Sequence, residues 1–206
     1  MGRSFNKKTR NQAKRKPKPI ILLIAEGHNV TESQYFKPFQ HQYTNYNIKV
    51  LIPGSTTDPE GMLKVIERYW NEYELSYDNG DIGFVVLDLD CDDSKAALIK
   101  KLTNKSDKVQ FVVSNPCFEA WFLLHFRYST RMETGKEAFH EIQSYIPQYE
   151  KNMNIAPILA DKLDTAMENA KRLHSYYREL GRKWPSSECN PMTDVPVIIE
   201  AIKNRE

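Results

Sequence analysis

The stretch Phe84-Val85-Val86-Leu87-Asp88-Leu89-Asp90 constrains the fold of this chain more than any other. An apolar run bounded by Asn79-Gly80 before it and Asp92-Asp93 after it suits an interior strand of a parallel sheet, which is apolar on both faces. Carboxylates at the carboxyl end of such a strand fall where open α/β sheets bind ligands. Successive strand side chains alternate between faces, so Asp88 and Asp90 share one if the extended geometry persists. Two carboxylates that close repel, and one pKa rises unless a cation sits between them. Mg²⁺, which takes oxygen ligands, is the natural cation. Aspartate is also a common turn former and helix N-cap after a strand, so Asp-x-Asp alone does not make a site.

The rest of the chain repeats the alternation. Ile20 to Ala25 is a second buried strand, and it too gives out at an acid, Glu26, followed by Gly27. Thr31-Glu32 with Tyr35-Phe36 marks a helix capped by Thr31 and ended near Pro38. A weaker strand over Ile48–Ile52 follows. Asp58-Pro59-Glu60 then opens a helix with an N-cap, a proline at the first position and an acid in the first turn. Its stripe of Met62, Val65, Ile66, Tyr69, Trp70 and Tyr73 faces a core. A short helix from Asp92 or Ser94 precedes a strand over Val109–Val113. Asn115-Pro116 begins another helix, with Asn115 as cap and Glu119 in its first turn. Glu119 reads either as a surface acid complementing the helix dipole or as a further metal or water ligand. The order β-α-β-α-β-α-β argues for a doubly wound parallel sheet with right-handed crossovers. The expected fold is therefore α/β: a Rossmann-like parallel sheet flanked by helices over residues 20–126, with a helical part over 127–206 packed on it.

The net charge of +2 conceals an asymmetry. Residues 1–19 carry eight of the 29 basic residues and no acid, which leaves 21 basic against 27 acidic residues in the body. Such an arm, with Lys7, Lys8, Arg10, Lys14, Arg15 and Lys16 at its centre, suggests a flexible segment attracted to the phosphates of DNA or RNA. A solubilising tail without a specific partner has the same composition. The three cysteines, Cys91, Cys117 and Cys189, form no CxxC pair and fit a reducing cytoplasm. The longest apolar run, Ile20 to Ala25, is too short for a membrane span. The five histidines lack the mutual spacing of a zinc site and read as packing or surface residues, with His28, near Glu26, the exception.

Glu-Gly after the first strand and Asp-x-Asp after the third are more specific together than apart. In this the sequence resembles the Toprim fold of topoisomerases, primases and certain nucleases. It resembles the RloB-like family more closely, through Ile24-Ala25-Glu26-Gly27, Thr31-Glu32, Tyr35-Phe36, Asp88-Leu89-Asp90, Asn115-Pro116-Cys117-Phe118-Glu119-Ala120-Trp121, Leu124-His125-Phe126, Asn190-Pro191 and Thr193. The resemblance implies a Toprim-type phosphoryl-transfer centre in which Asp88 and Asp90 hold Mg²⁺ or Mn²⁺, Glu26 ligates metal or acts as general acid/base, and Glu119 is a further ligand. It implies a metal-dependent nuclease of a phage-defence or abortive-infection system, with an ATPase as partner protein.

Competing patterns fit less well. A haloacid-dehalogenase phosphatase places Asp-x-Asp after its first strand, a response-regulator receiver needs an acid pair there, and a dinucleotide site needs Gly-x-Gly-x-x-Gly, which Gly27-His28-Asn29 does not supply. The rival from another class is a non-catalytic nucleic-acid-binding or adaptor subunit serving an ATPase. Whichever holds, an arm that touches phosphates leaves a thermodynamic signature. Deleting residues 1–19 should flatten the dependence of log K on log salt by roughly 0.7–0.9 for each phosphate that the arm neutralises. An unchanged slope in a salt titration would remove the arm from the interface.

Overall fold

A computed structural model describes residues 18–26, 30–39, 45–54, 58–106, 108–151 and 153–204. The apolar runs form strands and the periodic stretches helices, in the order β1 (Ile20–Ala25), α1 (Val30–Phe36), β2 (Asn47–Leu51), α2 (Pro59–Glu72), β3 (Ile82–Asp88), α3 (Asp93–Thr103) and β4 (Val109–Asn115). There follow α4 (Glu119–Leu124), α5 (Gly135–Tyr145), α6 (Ala156–Leu159), α7 (Leu163–Glu179), β5 (Met192–Thr193) and α8 (Val195–Lys203). The sheet order is β2-β1-β3-β4-β5. Its first four strands are parallel, and β5 runs antiparallel to β4. The expected α/β architecture with a mostly parallel sheet between helices is thus present.

Both faces of the central strands are covered. Ile21, Leu23 and Ala25 of β1, with Phe84 and Val86 of β3, pack against α1, α4, α5, α7 and α8. Leu22 and Ile24, with Val85 and Leu87, pack on the other side against Met62, Ile66 and Trp70 of α2 and Ala96, Ile99 and Leu102 of α3. The alternation of burial along each strand follows from its period of two. At Gly83 the helix and sheet approach so closely that a Cβ would stand 3.2 Å from the Ile66 Cδ1 and 3.3 Å from the Lys108 carbonyl oxygen. Helix starts obey local chemistry as expected at two places. The Asp58 carboxylate accepts the Gly61 N–H at 2.9 Å, and that of Asp92 accepts Ser94 and Lys95 N–H groups at 2.7 and 3.2 Å.

Three local expectations are corrected. α1 begins at Val30, so Thr31 lies inside the helix, and its hydroxyl donates instead to the Lys151 carbonyl at 2.6 Å. Asn115 is the last residue of β4 and caps nothing; α4 starts at Glu119 without a side-chain cap. β5 adds a strand that the sequence does not announce, because two residues are too short to carry any periodicity. Among the described residues no helix is long and apolar enough to cross a membrane.

The start of β1 is fixed by one buried acid. Asp81, just before β3, accepts the Ile20 N–H at 2.7 Å and the Ser76 N–H at 2.9 Å. Replacing Asp81 by Ala leaves two backbone donors unpaired, each costing about 1–3 kcal/mol. Urea denaturation should show stability lowered by about 2–4 kcal/mol with an unchanged m-value. A loss below about 0.5 kcal/mol would mean that water takes over both bonds.

Candidate functional site

The carboxyl edge of the sheet collects the acids. β1 ends at Ala25, and the Glu26 N–H still donates to the Val86 carbonyl at 3.2 Å, which holds its side chain beside the end of β3. The Glu26 carboxylate does not meet solvent alone. The Lys95 ammonium, in the first turn of α3, donates to its two oxygens at 3.0 and 2.7 Å and to the Asp90 Oδ2 at 3.2 Å. The Lys95 side chain is 14% exposed, against 64% for Asp90. Burial opposes the charged ammonium, yet its hydrogen bond to Glu26 and the charges of Glu26 and Asp90 outweigh that and raise its pKa.

Extended geometry ends at Asp88. Asp90 and Cys91 both have left-handed backbone angles, φ 54° and 58°, so the strict alternation expected to place Asp88 and Asp90 on one face is broken. Such conformations cost about 1–3 kcal/mol each and persist where the surroundings enforce them. Here Leu89 N–H donates to the Ser114 carbonyl at 2.7 Å, Asp90 N–H to that of Pro116 at 2.9 Å and Cys91 N–H to the Asn115 Oδ1 at 3.0 Å. Asn115 is itself anchored through its Nδ2 to the Cys189 carbonyl at 2.8 Å. Asn190 donates to the Cys91 Sγ at 3.1 Å and to the Glu133 carbonyl at 2.7 Å. The two asparagines of the Asn-Pro pairs therefore shape the Asp-x-Asp turn; the bonds joining them to Pro116 and Pro191 are cis.

Behind this turn lies a second row of acids. Glu119 is buried; its Oε1 accepts from the Tyr149 hydroxyl at 3.2 Å and stands 4.0 Å from the Lys151 Nζ. The Thr31–Lys151 bond brings α1, and with it Glu32, to the same place. Burial, followed by the charges of Glu32, Glu119, Asp90 and Glu26, lifts the Asp88 carboxyl well above the ordinary aspartate range. Burial also lifts Glu32 to about 7, with Glu119 and Glu26 acting in the same direction. Among the described residues the buried Asp88 Oδ1 has no hydrogen-bond partner.

The residues present set limits on any metal. Among the described residues no three His, Cys, Asp or Glu side chains stand together closely enough to cage an ion. Mg²⁺ needs no such cage, since it keeps several waters and uses one or two carboxylates with substrate phosphates. The all-oxygen donor set and the unpartnered Asp88 Oδ1 fit an ion of that kind.

A family model described as RloB-like protein matches residues 21–202. The chain belongs to the RloB-like family. No curated protein and no solved structure matches it.

In this RloB-like chain the acids expected at the sheet edge, Glu26, Asp88, Asp90 and Glu119, do lie close enough for their charges to act on one another. Lys7, Lys8, Arg10, Lys14, Arg15 and Lys16 lie outside the described residues, as do Gly27 and His28. Lys95 and Tyr149 carry no signal in the sequence, since a lysine in a helix and a tyrosine in a loop are commonplace. Glu32 sits in a recognisable motif, and only the fold brings it to Asp88. Along α7 basic and acidic side chains alternate: a groove of about 470 Å³ there is lined by Tyr128, Lys171 and Arg172 together with Glu168 and Glu179.

The charge cluster has a pH signature. A carboxyl raised in the folded state adds stability at low pH, which is lost as pH climbs from its unfolded value, 4.5 for Glu32, through about 7. The buried His125, depressed to about 4, works oppositely and adds stability above 6.5 that is lost as pH falls. Comparing Glu32→Gln with the native chain removes that second contribution. The melting temperature of the variant should rise relative to the native protein between about pH 5 and about pH 8. A pH-independent difference would mean that Glu32 is ionised throughout.

Proposed function

We propose that this RloB-like protein is a metal-dependent nuclease with a Toprim-type centre, hydrolysing phosphodiesters of DNA or RNA as part of a phage-defence or abortive-infection system with an ATPase partner. One observation carries the reading. At the carboxyl edge of the sheet the charges of Glu26, Glu32, Asp90 and Glu119 act on Asp88, whose buried Oδ1 has no hydrogen-bond partner among the described residues. A cluster with more acids than Lys95 and Lys151 offset repels a phosphate unless further cations intervene. Bound Mg²⁺ or Mn²⁺ supplies that neutralisation and lowers the pKa of a water nucleophile.

The residues divide the work by position. Asp88 and Asp90, at the end of β3, offer their oxygens to the metal. Glu26, held by its backbone bond to β3, is placed to ligate or to accept a proton from water at its carboxylate. Glu119, fixed by Tyr149, is a further candidate ligand, and its charge and that of Glu32 raise the Asp88 pKa. The turn at Asp90-Cys91, clamped by Asn115 and Asn190, leaves the Asp90 carboxylate exposed at the sheet edge.

The second reading, a non-catalytic nucleic-acid-binding or adaptor subunit, is favoured by the Lys95 ion pairs, which already satisfy Glu26 and Asp90. Purified protein incubated with plasmid, single-stranded DNA and RNA in Mg²⁺ or Mn²⁺ separates the two. Cleavage is expected from the native chain and none from Asp88→Ala/Asp90→Ala, while Glu26→Gln should slow it by about 10²–10⁴-fold. No cleavage of any substrate, with and without the ATPase, would establish the adaptor reading.

A further inference from the structure

Lys95 is placed against the grain of its helix. It sits in the first turn of α3, where the helix dipole disfavours a cation, whereas the neighbouring Asp92 and Asp93 suit that end. Two carboxylates offset this, one from the end of β1 and one from the turn after β3, and Lys95 is the cation that joins them. Its ammonium lies between Glu26 and Asp90, where an ion shared by those two acids would have to lie. A compact charge on a flexible four-carbon stem is also suited to leaving. The exposed Asp90 opens the position to solvent on one side.

The pairing is incomplete as a neutralising device. One positive charge meets two carboxylates directly, while Asp88, on which the charges of both act, has a buried Oδ1 with no hydrogen-bond partner among the described residues. Among the described residues Lys151 is a second cation near the cluster, at the Glu119 end. A lysine that served only to stabilise the fold would leave this charge as costly as before. A divalent ion in its place would carry twice the charge and would complete its oxygen shell with water, as Mg²⁺ does when it uses one or two carboxylates.

Resting on the metal-dependent reading above, we infer that Lys95 is a tethered placeholder cation: it holds Glu26 and Asp90 together in the metal-free protein, and a divalent ion binds by displacing its ammonium. Lys95 is thus a positioning residue that competes with the metal. Removing its charge weakens the metal-free protein and strengthens metal binding, a pair of opposite effects that a plain structural ion pair does not produce.

The test measures Mn²⁺ binding directly, from the free-ion electron paramagnetic resonance signal, without nucleic acid. It uses the full chain, Lys95→Met, Lys95→Gln, Lys95→Arg and Asp88→Ala/Asp90→Ala. Lys95→Met or Lys95→Gln should bind Mn²⁺ about ten-fold more tightly than the native protein. In chelator they should melt below it, and saturating Mn²⁺ should remove that deficit. Lys95→Arg, which keeps the charge, should stay within about three-fold of native, and the double aspartate variant should not bind. Equal or weaker binding by both neutral variants, with native binding intact, would overturn the placeholder role and leave the metal site standing. Absence of Mn²⁺ binding in every protein, neutral variants included, would overturn the metal reading and the placeholder with it.

Discussion

Burial of β1 and β3 on both faces is the constraint on which the site depends. A strand with a core on either side has no face on which to place a charge, so its first acid must emerge where the strand stops. Both strands stop at the same edge because they are parallel, and the register pairing Ala25 with Val86 puts their ends side by side. Glu26 and Asp88 are therefore neighbours by topology, although they lie far apart in the sequence. β4, whose Ser114 pairs with Asp88, brings the loop to Glu119 to the same edge. Three strands ending together make an acidic site out of segments that are unremarkable one at a time.

Bringing these acids together is unfavourable, and the surrounding structure offsets it only in part. Lys95 compensates Glu26 and Asp90, and Tyr149 and Lys151 compensate Glu119. Asp88 receives the repulsion of the other four carboxylates, and among the described residues nothing hydrogen-bonds its buried Oδ1. The left-handed Asp90 and Cys91 add backbone strain, which Asn115 and Asn190 enforce from β4 and from the loop before β5. Strain and an unpartnered carboxyl oxygen coincide at this one turn, the pattern expected where stability has been given up for something else.

What could be read from sequence follows the range of the interactions involved. Strands declared themselves by apolar runs, and the Asp58 and Asp92 caps by side chains that bond within three residues. Asn115 shows the limit of that logic. As Asn before Pro it has the local chemistry of a cap, yet its partners are Cys91 and Cys189, far along the chain in either direction. Thr31 fails as a cap for the same reason, its hydroxyl having gone to Lys151. The Asp88/Asp90 pair was legible as a motif, but not the turn that separates their environments. Lys95 was invisible because a long side chain can bond anywhere within its reach, and only the parallel register decides that Glu26 is there.

Family membership does not by itself choose between a catalyst and an adaptor, because function resides in the site and not in the fold. The distribution of charge within the site does bear on it. In an adaptor, a Glu26–Lys95–Asp90 cluster is a sufficient end in itself, and nothing requires a further buried acid. Asp88 would then be a standing penalty with no return, since an apolar residue of similar size at the end of β3 would remove both the unpaired oxygen and the mutual repulsion. Its presence is explained when that oxygen has a partner in the working state. On the metal-dependent reading proposed above, a cation at the sheet edge would supply one, at the position that Lys95 holds between Glu26 and Asp90. The same side chain that favours the adaptor reading thus fits the catalytic one better, as the occupant of a position whose charge it only half satisfies.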